Sequence, residues 1–176
     1  MNQKIFSQVA KNEPLGVTRI KKLFKEGRLV IPNNPRHKKL KPIAIGQGCR
    51  VKINANIGKS PQCSSLSKEI EKIKVVEKYG ADAVMDLSIG GNIREFRQEL
   101  IKRTPLCFGT VPVYETVDQI KDIYKLGIDK FLEVLENHGK DGVDFVTIHA
   151  GFRKKHIPLV EKRTTGVVSR GGSFIY

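Results

Sequence analysis

Apolar and polar residues alternate along this chain in two rhythms. In the first part, Val17, Ile20, Leu23 and Phe24 share one side of a helical wheel and predict a short helix over Val17–Lys25. Residues 28–31 read as a strand, Pro32-Asn33-Asn34-Pro35 as a turn, residues 38–41 as a basic stretch and residues 42–45 as a second short strand. From about residue 49 the rhythm becomes regular. Val51-Lys52-Ile53-Asn54-Ala55 predicts a strand. Leu66, Ile70, Ile73 and Val76 predict a helix over 66–79, with Ser64, Ser65 and Ser67 as candidate N-caps and Gly80 as its stop. Residues 83–87 follow as a strand and 92–103 as a helix with Ile93, Phe96, Leu100 and Ile101 inward. Residues 107–113 make a third strand, and Thr116-Val117-Asp118-Gln119 fits a capping box that opens a third helical region. A helix over 129–137, with Phe131, Leu132 and Leu135 inward, stops near Gly139. Residues 145–148 give a fourth strand, and Val167-Val168 begin a fifth.

Strands alternating with helices predict an α/β fold of parallel βα units joined by right-handed crossovers. The pattern divides the chain into a small N-terminal arm or layer, residues 1–48, and a βα portion, residues 49–176. No repeat of fixed period and no low-complexity segment interrupts it.

Composition narrows the class. The chain has 176 residues, 39% of them hydrophobic, enough for one domain with a sizeable core. No apolar run approaches the roughly 20 residues of a membrane helix, and the first ten residues lack a secretory pattern, so a cytoplasmic protein is the expectation. The formal charge is +14, and its densest run is Arg36-His37-Lys38-Lys39. With no Trp and no aromatic residues within that run, a base-stacking platform is poorly supported, and a solvated basic surface is the simpler reading. Cys49, Cys63 and Cys107 are far apart and form no C-x-x-C pair, which signals neither a zinc knuckle nor an iron–sulfur site; reduced, mostly buried thiols are expected.

Polar groups recur where strands are expected to end: Asn54 and Asn56 before Gly58, Asp86 and Ser88 before Gly90-Gly91, Tyr114 after Pro112-Val113, Thr147 and His149 before Gly151, and Ser169-Arg170-Gly171-Gly172-Ser173. In a parallel βα fold these ends share one face, where converging loops build ligand sites. Ser169-Arg170-Gly171-Gly172 suits an anion, through close backbone approach and a bidentate guanidinium. Each residue also has a simpler reading: turn-building for the asparagines, a cap or ion pair for Asp86, packing for Met85 and Tyr114, a structural hydrogen bond for His149. Their shared placement is the stronger signal.

The wording of these segments goes further. Lys52-Ile53-Asn54-Ala55-Asn56-Ile57-Gly58, Gly80-Ala81-Asp82-Ala83-Val84-Met85-Asp86-Leu87-Ser88, Gly109-Thr110-Val111-Pro112-Val113-Tyr114, Thr147-Ile148-His149-Ala150-Gly151 and Val168-Ser169-Arg170-Gly171-Gly172-Ser173 occur in this order. Together they closely resemble the phosphomethylpyrimidine synthase family of thiamine biosynthesis, from about Arg50 onward and weakly through the arm. The resemblance implies a (β/α)8 barrel, of which about the first five parallel strands would lie here, behind the N-terminal arm. It implies a radical S-adenosylmethionine lyase that rearranges 5-aminoimidazole ribonucleotide to hydroxymethylpyrimidine phosphate with a [4Fe–4S] cluster, together with a zinc site. The substrate-contacting positions it carries over are Asn56, Met85, Tyr114, His149, Ser169, Arg170 and Gly171.

Two departures stand out. Ser88-Ile89-Gly90-Gly91 has Ile where the family commonly has Thr. The family's further strands, two metal-binding histidines and C-x-x-C-x-x-x-x-C motif have no counterpart in this sequence; the three cysteines lack that spacing, and His138 and His156 match none of the metal ligands. The expectation is therefore a chain that holds part of the substrate site, is inactive and poorly stable alone, and needs the remaining portion or a second chain. The family is often homodimeric. A relative that forms hydroxybenzimidazole from the same ribonucleotide, and a non-catalytic nucleotide-binding remnant, are the alternatives; a nucleic-acid module rests on charge alone and ranks last.

Overall fold

The computed structural model describes residues 2–60, 65–120 and 122–176. Cys63 and Ser64 lie outside the described residues. The chain begins with α1 (Gln3–Ala10) and α2 (Val17–Lys25), followed by β1 (Leu29–Val30), which pairs antiparallel with β2 (Ile45–Gly46). Asn2 caps α1 by accepting from the Lys4 amide. Phe6 and Val9 of α1 meet Ile20 and Leu23 of α2 in a core shared with Leu29, Ile31 and Ala44. Gly46 is needed in the β1–β2 pair: its φ is +144°, and a Cβ there would lie 2.4 Å from the Arg28 carbonyl oxygen.

The main sheet contains β3 (Asn54–Ile57), β4 (Ala83–Asp86), β5 (Cys107–Thr110) and β6 (Phe145–Val146), all parallel and side by side in chain order. The intervening helices are α3 (Leu66–Lys78), α4 (Ile93–Ile101), α5 (Pro112–Ile120) and α6 (Ile128–Asp141); α7 (Ile157–Glu161) and α8 (Arg170–Ile175) follow. Because strand order never reverses, right-handed crossovers return their helices to the same side. Ile57, Val84 and Phe108 point to that side and pack with Ile73, Phe96, Leu100 and Ile101. The opposite face is different. Near the strands' starts, Ile43 and Leu40 of the arm cover Ala83, Cys107 and Phe145. Toward the strands' ends it carries the exposed Asn56, with Met85 in register beside it.

Polar ties hold the arm to the sheet. Asn34 donates from its backbone to Asp144 and from its side chain to the carbonyls of Gly139 and Val143. His37 bridges Asp144 (2.7 Å) and the Thr104 carbonyl (2.9 Å). Arg50 pairs with Asp82, whose carboxylate also accepts from the Ile53 amide. Burial alone would raise the Asp82 carboxyl, but the Arg50 guanidinium and the Ile53 amide hold it below the usual range.

Several expectations are corrected. The third strand ends at Thr110, because Pro112 opens α5; Tyr114 therefore sits in the first turn of a helix. Thr116 is interior to α5 and its hydroxyl donates to the Pro112 carbonyl at 3.0 Å, so it opens no capping box. Val167-Val168 form no strand: Val168 is 75% exposed with no strand beside it, and Ser169 caps α8 instead, so four parallel strands are described rather than five. The first strand of the sheet starts at Asn54, three residues later than predicted, because the Asp82 carboxylate takes the Ile53 amide. Helix α6 runs through Gly139 and stops at Gly142, whose φ is +107°. Helix α1 was not anticipated; its apolar pattern spans barely two turns.

Candidate functional site

The strand ends and α8 bring the expected residues together. Ser169 caps α8 by accepting from the Gly172 amide (3.2 Å) and sits 3.1 Å from His149 Nε2. Gly171 is buried against the His149 imidazole, and a Cβ there would lie 2.1 Å from the ring. No residue but glycine lets the ring rest there undisturbed. His149 Nδ1 is buried and has no hydrogen-bond partner among the described residues. Arg170 reaches over the Tyr114 ring, 5.6 Å from its centroid, and Phe174 of α8 meets the same ring edge-on at 6.1 Å. Helix α8 is thus pinned to α5 through Tyr114.

Asn56 and Arg170 line a common cavity of about 340 Å³ together with Lys59, Ser60 and Lys72. The Asn54 side-chain amide donates to Asn56 Oδ1 (3.1 Å), which fixes the Asn56 amide with its NH2 turned away. Met85, one strand over, accepts from the Thr147 hydroxyl at 3.3 Å. All seven expected residues therefore lie at one end of the sheet. Lys59 and Lys72 escaped the sequence reading; a lysine just after a strand, or one within a helix, carries no motif, and only the fold brings them to the cavity that Arg170 lines. Next to His149 lies an apolar cavity of about 290 Å³ between Val113, Phe131, Ile148 and Ile175.

Beneath Tyr114 is a buried ionic network. Arg97 is fully buried; it donates to Glu115 (2.5 Å) and to Asp141 (2.6 Å). His138 Nε2 lies 2.8 Å from Glu115, and its Nδ1 lies 2.8 Å from the Thr110 hydroxyl. The Glu115 carboxylate and an Arg97 N–H 3.1 Å away share Nε2, and the Thr110 hydroxyl can donate to or accept from Nδ1, so burial rather than these contacts favours the neutral ring. Burial, reinforced by the Arg97 charge, pushes its pKa down. Burial pushes Glu115 up, but the His138 hydrogen bond and the Arg97 charge prevail and hold it at about 2. Asp86, at the end of β4, accepts from the Ser88 amide and hydroxyl rather than capping a helix or pairing with an arginine, and burial raises its pKa. Asp86, Arg97, Glu115 and His138 surround a void of about 10 Å³, the size of one water.

The cluster implied by the resemblance finds no fit here. Among the described residues no three His, Cys, Asp or Glu are grouped to hold a metal. Cys107 is buried and Cys49 partly buried, and burial raises both thiols, the reverse of what a thiolate ligand needs. His138 is engaged in the network above. No described helix is long and apolar enough to cross a membrane.

Compared with models of known protein families, the sequence matches the radical SAM ThiC family from residue 1 to residue 176. The match spans the arm as well as the βα portion, so the arm's ties to the sheet belong to the same unit of descent. The chain is a member of the radical SAM ThiC family.

Proposed function

We propose that this chain forms the substrate-holding part of a phosphomethylpyrimidine synthase of thiamine biosynthesis, acting in the cytoplasm on 5-aminoimidazole ribonucleotide. Family membership supports the reaction class, and one observation carries the site. His149 Nδ1 is buried without a partner among the described residues, its ring held against Ser169 and Gly171, and a buried unpaired nitrogen is costly unless a ligand completes it.

The residues divide the work by chemistry. Arg170, its face held on Tyr114, keeps its N–H edge for phosphate oxygens. Asn56 donates its free NH2 from the opposite wall of the same cavity. His149 and Ser169 orient the ring or ribose by directed hydrogen bonds, and Met85 supplies an apolar floor. We read the four-stranded sheet as an arc of a (β/α)8 barrel whose interior is the Asn54–Asn56–Met85 face, since its helices cover only the other face. In this family S-adenosylmethionine and a [4Fe–4S] cluster supply the radical; the described residues do not fit the cluster.

Calorimetric titration of 5-aminoimidazole ribonucleotide tests the reading. Arg170→Ala should weaken binding by about tenfold or more, the scale of a charge-assisted pair. Unchanged affinity, or a ligand-bound structure with Arg170 turned from the phosphate, overturns it.

A further inference from the structure

The basic run Arg36-His37-Lys38-Lys39 has no part in the site above, yet the fold does not leave it as loose surface. Its backbone is fixed at three points: Asn34 against Asp144, Gly139 and Val143; His37 between Asp144 and Thr104; and the Lys41 amide on the Pro105 carbonyl at 2.8 Å. Between these anchors Arg36, Lys38 and Lys39 project toward the C-terminal ends of α4 and α6. There they meet Lys102, the C-cap of α4, and Lys140, in the last turn of α6. The five cations line a cavity of about 270 Å³ at the end of the βα layer opposite the strand ends.

Three sources of negative charge could explain this gathering, and together they fall short. Asp141 lines the cavity, but its carboxylate is already taken by Arg94, Arg97 and Gln98. Glu99 and Glu136 pair with Lys102 and Lys140 across exposed helix surface, where such pairs contribute little and exchange readily. Each helix C-terminus contributes about half a negative charge, which Lys102 and Lys140 satisfy. Arg36 and Lys39 have no carboxylate partner among the described residues. Like charges held on a rigid frame repel one another, and a multivalent anion relieves that repulsion without the cost of ordering the side chains' backbone. Among the described residues no aromatic side chain lines the cavity, so none there stacks a base, and its volume admits a compact ligand rather than a strand.

We propose that this cavity binds a compact polyanion bearing at least two phosphate groups, held chiefly by Arg36 and Lys39. The site is separate from the proposed ribonucleotide site and does not rest on it.

Tripolyphosphate titrated calorimetrically at fixed ionic strength is the probe. The exposed double variant Arg36→Ala/Lys39→Ala should weaken binding by about tenfold. Lys11→Ala/Lys25→Ala, which removes the same charge from the α1–α2 layer, should leave it unchanged. Equal losses in the two double variants would reduce the effect to net charge and overturn the proposal. Loss in Arg170→Ala alone would move the anion to the strand-end site, and no binding beyond the ionic-strength effect would remove the anion altogether; either overturns it as well.

Discussion

His37 carries a proton on each ring nitrogen, because both of its neighbours, the Asp144 carboxylate and the Thr104 carbonyl, only accept. Burial lowers its pKa, but these two acceptors outweigh burial and raise it above 6.5. The stability it contributes is therefore complete below pH 6.5 and is lost as pH rises through the raised value. His138 works in the opposite sense. Its depressed pKa means that acidification below 6.5 protonates the unfolded chain first, so its contribution falls as pH falls. Urea denaturation across pH 5–8 should show the two slopes separately: His37→Ala leaves the acid-side loss, His138→Gln leaves the alkaline-side loss. Indistinguishable profiles would refute the charge states assigned. Glu115 adds a further acid limb as pH falls from 4.5 through about 2. In the site, Gly171→Ala should displace the His149 ring from Ser169, visible as a changed His149 imidazole resonance together with weaker ribonucleotide binding.

Helices α4, α5 and α6 are joined by Arg97, whose guanidinium meets Glu115 on one side and Asp141 on the other. Glu115 follows Tyr114 directly, so the network sets the angle from which the Tyr114 ring meets Arg170. Arg97→Met would strand two buried carboxylates and should cost about 3–5 kcal/mol by chemical denaturation. Gly142→Ala, forced into a left-handed cap with the arm's Arg36 and His37 backbone about 3.5 Å from the new methyl, should cost about 1 kcal/mol or more. Much at this scale was legible beforehand. Helices α2, α3 and α4 appeared where their apolar spacing put them, and strands β4 and β5 started where predicted. The failures share a cause. Proline at position 112 and the serine at 169 start helices, but each follows β-branched residues that read as strand. The ionic network was invisible because Arg97 meets Glu115 and His138 from 18 and 41 residues away, a distance no local pattern records. That the seven expected residues gather at one end of the sheet was legible because they travel inside ordered motifs; the placement of Lys59 and Lys72, outside any, was not.

The molecule is a layered sheet whose helices guard one face and whose other face is covered by the arm near the strand starts and left polar at the strand ends. The outer edge of β6 has no strand beside it among the described residues, and Ile148 just beyond is 53% exposed. We expect the isolated chain to self-associate with rising concentration and to bind a hydrophobic dye; a monomeric chain with a sharp, reversible thermal transition would contradict this. The tie between arm and sheet has a consequence of another kind, in time rather than space. Each strand of the sheet pairs with the one made just before it, so the sheet can extend while synthesis proceeds. His37 must wait for a partner 107 residues later. The arm, made before any strand of the sheet, is thus among the last segments to lock, and its closure reports that β6 has taken its place.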